Sequence, residues 1–237
     1  MAEKEELEFD LDKIEPVKRD KVKNVSVLLW GKTKAGKSTY ANTFPKPIIF
    51  DFEGTSGGVD GAKVLRVTDF DIFHKAWKQA LEKNYETVII DGAEYWLSML
   101  QDNTLKRMGR KGMSDMKFGD TYQQFRKDAK ETITKLLGRG KNIIFIFHET
   151  TAEYVNESTD ETYNVRQPNI SDKILIEAIP ALFDIVANIE IKVDDTGKKT
   201  RLLDCTMNKY KMTGNRFGIE DILTLDYKEL ESRIIKK

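Results

Sequence analysis

A mainly parallel α/β sheet, covered by helices on both faces, is the fold this sequence predicts. Two observations carry it. From Val25 onward, short β-branched or apolar runs alternate with helix-periodic segments, as parallel strands joined by helical crossovers do. The first run, residues 25–30, leads straight into Gly31-Lys32-Thr33-Lys34-Ala35-Gly36-Lys37-Ser38. That octapeptide is a complete G-x-x-x-x-G-K-[ST] phosphate loop, placed between a strand and a helix start as the pattern requires.

The elements follow in order. Residues 1–24 are dense in charge and poor in large apolar groups, and read as a flexible arm ahead of one domain over 25–237. Within the arm, Leu7, Phe9 and Leu11 alternate with acids at a period of two. Such a strand pairs with its own domain or adds to a neighbouring subunit's sheet. After the loop, Ser38-Thr39-Tyr40-Ala41-Asn42 starts a helix, 47–52 reads as a strand, and 70–83 as an amphipathic helix with Phe73, Ala76, Trp77, Ala80 and Leu81 on one face. Residues 87–91 form a buried strand ending in the carboxylate of Asp91. Helices near 93–105 and 121–137 flank a loop bearing glycine and methionine. Gly138-Arg139-Gly140 closes the second helix, and 141–147 is another apolar strand.

The last third changes character. Residues 149–169 are polar, carry the β-formers Tyr154, Val155, Tyr163 and Val165, and have Ser158-Thr159-Asp160 at their tip. Residues 183–193 and 200–207 read as strands joined by the turn Asp194-Asp195-Thr196-Gly197, extending the sheet in antiparallel fashion, and 227–235 closes as a helix.

Composition bounds the function. Lys+Arg and Asp+Glu are equal at 39 each in 237 residues, so net charge argues neither for nor against nucleic acid, and any basic surface must be local. The single cysteine, Cys205, excludes an internal disulfide and a cysteine-only metal site, and suits a reducing compartment. The N-terminus is acidic rather than basic then apolar, and the longest wholly apolar run, 143–147, is far too short to span a bilayer. The expectation is a soluble, cytoplasmic chain with no membrane partner.

The phosphate loop implies a nucleoside triphosphate, ATP, with Mg²⁺. Its glycines let several N–H groups face one anion, Lys37 reaches the β- and γ-phosphates, the Ser38 hydroxyl ligates the metal, and Thr39 continues the cradle. Hydrolysis further needs an acid behind the metal, a residue that orients water, and a polar sensor of the γ-phosphate. Asp91, ending its strand, fits the first role. Glu53, leaving the strand that ends in Asp51-Phe52-Glu53-Gly54, fits the second, on the edge where open α/β sheets bind ligands. His148, ending the 143–147 strand, fits the third. Glu94, inside a helix, is a poorer base. With His74 in a helix and no Cys/His cluster, His148 is not expected to ligate a metal.

These strand ends, in this order and spacing, resemble the ATPase core of RecA-like recombinases, and more narrowly the short core-only RecA-like ATPases of bacteriophages that act in single-strand annealing and recombination. The resemblance spans 25–235 and rests on the phosphate loop, Phe44-Pro45-Lys46-Pro47, Asp51 to Gly54, Ile89-Ile90-Asp91, Phe147-His148-Glu149 and Asn215-Arg216-Phe217-Gly218. It implies a RecA-like P-loop core, catalysis through Glu53, and His148 where the family commonly has Gln. It implies single-stranded DNA, a single-strand-binding protein and further copies of the chain as partners. The stretch ending Asn215-Arg216-Phe217-Gly218 is similar to the K-N-R-F-G segment of RadA proteins, whose basic residues reach the γ-phosphate of a neighbouring subunit; here Gly214 replaces Lys, leaving Arg216 and Lys211 (or Lys209) for that role.

A DNA contact is expected between 104 and 118. Lys106, Arg107, Arg110, Lys111 and Lys117 stand there against one acid, Asp115, with Gly109 and Gly112 for mobility and Phe118 to stack on a base. The segment 149–169 is less suited, because Glu153, Glu157, Asp160 and Glu161 accompany its tyrosines. Two other readings compete: a small-molecule kinase with 104–118 as lid, and a nucleotide-gated adaptor or loader of DNA replication or packaging. An RecA-like core requires the 141–147 strand to lie between the strands leading to Gly31 and Asp91; direct adjacency of those two would favour the kinase.

Overall fold

The computed structural model describes residues 18, 22–113, 119–156, 158–220 and 222–235. Leu7, Phe9, Leu11 and Lys117 lie outside the described residues, as does most of the expected arm. In chain order the elements are β1 (Ser26–Gly31), α1 (Lys37–Ala41), β2 (Pro47–Asp51), β3 (Val64–Arg66), α2 (Phe70–Glu82), β4 (Thr87–Asp91), α3 (Ala93–Arg107), α4 (Asp120–Leu137), β5 (Asn142–Val155), β6 (Thr162–Pro168), α5 (Leu175–Ala178), β7 (Ile185–Val193), β8 (Lys199–Asp204), β9 (Gly214–Asn215), β10 (Leu223–Thr224) and α6 (Tyr227–Ile234).

The strands form one sheet in the order β10-β8-β7-β1-β5-β4-β2-β3, with β6 on β5 and β9 on β7. All neighbours from β7 through β3 run parallel, whereas β8, β10, β9 and β6 pair antiparallel. β5 therefore lies between β1 and β4, the order expected of a RecA-like core. The expected fold class stands: a mainly parallel sheet flanked by helices, with antiparallel strands added late in the chain.

Burial on both faces explains why the central strands read as unbroken apolar runs. On one face Leu28, Trp30, Phe50, Ile90, Phe145 and Phe147 pack under α2, α3 and α4, with Trp96 edge-on to Phe145 at 5.2 Å. On the other face Val27, Leu29, Ile49, Ile89, Ile144 and Ile146 pack under α1 and α6. Successive residues of β1 thus serve opposite cores, as the two-residue period of a strand demands. Asp69 begins α2 by accepting the Ile72 N–H at 2.8 Å, and Asp226 begins α6 by accepting that of Lys228 at 2.9 Å.

Two details differ from the sequence reading. β7 pairs antiparallel with β8, as expected, but it joins the sheet parallel to β1, because α5 and the turn Pro180–Leu182 return the chain to the start of the sheet. There Asp184 clasps Ser26, accepting its N–H at 2.9 Å and its hydroxyl at 2.7 Å. The strand begun at 142 does not end before His148; it continues to Val155, and the polar stretch behind it folds back as β6 around a tip at 156–161. Alternate side chains of this hairpin are exposed, which masked its continuity with the apolar run. The edge strand β3 exposes all three of its residues and is too short for a two-residue alternation to announce it.

Candidate functional site

Gly31 ends β1 hard against β7. A Cβ there would meet the Ile189 carbonyl oxygen at 2.9 Å, so a side chain would force the two backbones apart. The chain then passes through Lys34 at φ 63° and Gly36 at φ 101° before entering α1. Ala35 is buried, and its N–H bonds Lys32 O at 3.2 Å. Lys37 is 7% exposed and donates to the carbonyls of Gly31 and Lys32, each at 2.9 Å. Burial lowers the pKa of this ammonium, while Asp91, Glu94, Glu53 and Glu149 oppose the shift. Thr33, Lys34, Gly36, Lys37, Ser38 and Thr39 all line a cleft of about 680 Å³.

Parallel pairing brings the other strand ends to the same edge. The register sets Gly31 opposite His148, and Asp51 opposite Asp91. Asp91 is 4% exposed, and burial pushes its carboxyl above the usual range despite hydrogen bonds from the Ser38 and Ser56 hydroxyls. The Ser56 Oγ lies 2.6 Å from Asp91 Oδ2. A buried carboxylate beside serine hydroxyls is a set of hard oxygen donors and fits Mg²⁺, which takes few protein ligands and completes its shell with phosphate and water. Ser38 and Asp91 would hold the ion; when bound, it supplies charge neutralisation on the phosphates.

Asp51 builds the turn after β2. One carboxylate oxygen accepts the N–H groups of Glu53 at 3.1 Å and Gly54 at 2.6 Å, and the other accepts that of Ser56 at 3.1 Å. The same carboxylate thus presents Glu53 to the cleft and Ser56 to Asp91. Gly92, at φ 82°, lets this turn approach, since a Cβ there would sit 3.2 Å from the Glu53 backbone nitrogen. Glu53 Oε2 lies 3.8 Å from His148 Nε2, and His148 Nδ1 lies 2.5 Å from Glu94 Oε1. Glu53, His148 and Glu94 therefore form a row beside the phosphate loop. A second cavity, of about 520 Å³, opens on the far side of this row, with Thr33, Glu53 and His148 common to both.

Other expected residues lie elsewhere. Lys211 does not point outward: its ammonium pairs with Glu190 at 2.9 Å and with Asp204. Burial would lower its pKa, but the two carboxylates outweigh burial and raise it. Arg216 sits at the opposite end of the sheet, paired with its own Asp184 at 3.4 Å and donating to Ala181 O at 2.8 Å. Within one chain neither reaches the phosphate loop, so a transfer role for either would have to act on a neighbouring copy. Arg107 pairs with Asp128 across α3 and α4; Lys106 is exposed on α3, and Arg110 is exposed just beyond it. Lys111 follows in the same turn.

Sequence reasoning missed Ser56, Lys199, Arg201 and Leu225, and weighed Glu94 only as a poorer base. Ser56 stands in an unremarkable Ser-Gly-Gly stretch, and Glu94 gains its role only because β5 carries His148 over the start of α3. Lys199 and Arg201 of β8 also line the cleft, together with Leu225. Only the strand order brings them there, and no local motif marks them. A charged chain runs back from the site as well: Arg166 grips Glu149, the neighbour of His148, with two bonds of 3.0 and 2.8 Å, and pairs with Glu190 at 3.0 Å.

Over 130 residues the chain is 24% identical to the SPbeta prophage-derived uncharacterized protein YorG of Bacillus subtilis (strain 168), an alignment covering 52% of this chain and 40% of that protein. The chain thus spans about two fifths of this relative's length. Among solved structures, a KaiC-like protein of the archaeon Pyrococcus horikoshii OT3 superimposes with a TM-score of 0.42 at 14% identity, covering 84% of this chain and 88% of that one. The AAA domain family matches residues 23–217, from three residues ahead of β1 to beyond β9, and so takes in the phosphate loop, Glu53, Asp91 and His148. The chain belongs to the AAA domain family of P-loop ATPases.

Proposed function

We propose that this chain is a Mg²⁺-dependent, RecA-like ATPase that acts on single-stranded DNA in phage recombination or annealing. The observation that carries the hydrolytic part is the convergence of Glu53 and His148 on the phosphate-loop edge, with β5 between the two nucleotide-motif strands. Glu53 polarises the attacking water, held in place by the Asp51 turn. His148 stands beside the γ-phosphate as its polar sensor, its ring held by Glu94, and Lys37 leaves its carbonyl partners for the β- and γ-oxygens. A small-molecule kinase has no need of a water-polarising carboxylate, and the inserted β5 favours hydrolysis over that reading.

The nucleic-acid part rests on the resemblance to the phage ATPases and on the prophage relative. The basic turn after α3 is the surface assigned to DNA, and the trans residue is Arg216, acting on a neighbouring copy. The deciding measurement is the ATPase rate with and without single-stranded DNA. A several-fold rise with DNA supports the reading. A rate indifferent to DNA but raised by a protein partner would replace it with a nucleotide-gated adaptor.

A further inference from the structure

The sheet order gives the nucleotide cleft a direction. Glu53 follows β2, and Asp91 and His148 lie on β4 and β5, all on one side of the β1 loop, whereas β8 and β10 lie on the other side. The hydrolytic groups mark where the terminal phosphate must lie. The base of a bound nucleotide then leaves the loop on the β8 side. Two side chains stand there over Gly36: Arg201, whose Cδ and Nε come within 3.3 and 3.5 Å of the position a Cβ of Gly36 would take, and Leu225, whose Cδ1 lies at 3.9 Å. The register confirms the level. Gly31 pairs with Ile189 and Arg201 with Ile191, one pleat further toward the ligand edge.

Arg201 differs from the other arginines near the site. Arg166 is held by Glu149 and Glu190, and Arg66 by Asp51. Arg201 is exposed at the cleft wall, and among the described residues no carboxylate lies within ion-pair distance of it. A guanidinium is planar and weakly hydrated, and it stacks on π-faces in a way an ammonium cannot. Beside it Leu225 offers an apolar contact.

We infer that Arg201 and Leu225 form the base-holding wall of the nucleotide cleft, with the Arg201 guanidinium stacked on the nucleobase of the triphosphate. This rests on the phosphate loop binding a nucleoside triphosphate and is independent of any DNA role. Calorimetric titration of the full chain with Mg-ATP and, separately, with inorganic tripolyphosphate tests it without DNA. Arg201→Ala weakens ATP about tenfold and leaves tripolyphosphate unchanged, and Arg201→Lys fails to restore ATP affinity because it keeps the charge but not the plane. An equal loss for both ligands, or full rescue by lysine, overturns the stacking role in favour of a phosphate contact. No loss for either overturns the site. Wild-type protein that binds neither ligand overturns the phosphate-loop reading itself.

Discussion

His148 Nδ1 lies 2.5 Å from Oε1 of Glu94, and that same oxygen accepts the His148 backbone N–H at 3.3 Å. A carboxylate only accepts, so Nδ1 carries a proton toward Glu94 and the ring is oriented with Nε2 toward Glu53. Glu94 is thus a positioning residue acting through His148. Glu94→Gln should lower kcat about tenfold, ~1.4 kcal/mol of transition-state stabilisation, with ATP affinity little changed. In a His148→Gln background, where no tautomer needs fixing, the same substitution should cost almost nothing more; steady-state kinetics of the double-mutant cycle reads this coupling. Additive losses would reduce Glu94 to a structural helix residue.

Lys37→Ala should abolish tight ATP binding, because the phosphate charge loses its buried cation. Glu53→Gln should retain binding and lower hydrolysis by roughly 10²–10⁴-fold, the usual worth of a positioned general base. Equilibrium binding and single-turnover hydrolysis separate the two effects. Wild-type turnover in Glu53→Gln would transfer the water-orienting role to another carboxylate.

Asp91 trades stability for its site. Its carboxyl pKa is raised by burial, so the folded state holds the proton more tightly than the unfolded chain. Stability then falls as pH rises from the unfolded carboxylate value, about 3.9, through the folded one, and the deficit persists at neutral pH. Asp91→Asn should therefore raise Tm at pH 7, by roughly 2–4 °C for each kcal/mol relieved in a chain of this size, while losing Mg²⁺-dependent hydrolysis. An unchanged or lower Tm would mean that the serine hydroxyls already offset the burial cost.

Neutralising Arg107, Arg110 and Lys111 together should weaken single-stranded DNA binding and flatten its salt dependence, each lost phosphate contact lowering the slope by ~0.7. ATP affinity without DNA should hardly move. Because Arg107 also pairs with Asp128, thermal melts of the variant must accompany the titration. A preserved salt slope would send the DNA to another surface.

For assembly, the expectation is that mixing Arg216→Ala with Lys37→Ala protein restores part of the ATPase, since each copy supplies what the other lacks. Deleting residues 1–24, which carry Leu7, Phe9 and Leu11, should lower oligomer order and turnover together. Sedimentation and activity measured over a range of protein concentrations check both. A monomer that hydrolyses ATP at the full rate would defeat the trans role and reduce the arm to a tail.

The strands and helices that build both cores were legible in the sequence because their side chains report burial directly. Val27 to Trp30 and Ile143 to Phe147 are apolar at every position, as doubly covered strands must be. The phosphate loop was legible because its chemistry is local. The Glu94–His148 contact was not, since it spans 54 residues and depends on β5 passing over the start of α3. Arg201 was invisible for the same reason, one exposed basic residue among many until the β7–β8 register placed it. The antiparallel β7–β8 pair was legible from its turn, but the parallel pairing of β7 with β1 was not, because either direction suits the same apolar pattern and only the return of the chain through α5 decides.

The uninterrupted run of β5 past His148 has a mechanical consequence. Seven residues separate His148 from Val155 on one paired strand, a rigid arm of about 23 Å at ~3.3 Å per residue. A tilt of about 5° where His148 meets the nucleotide would sweep the far end by about 2 Å over that length. Arg166, fastened to Glu149 and Glu190, holds the hairpin near its cleft end. Such a tilt would carry the exposed hairpin tip farther than the end at the nucleotide cleft moves, against the hold of Tyr210 and Met212 on Arg166.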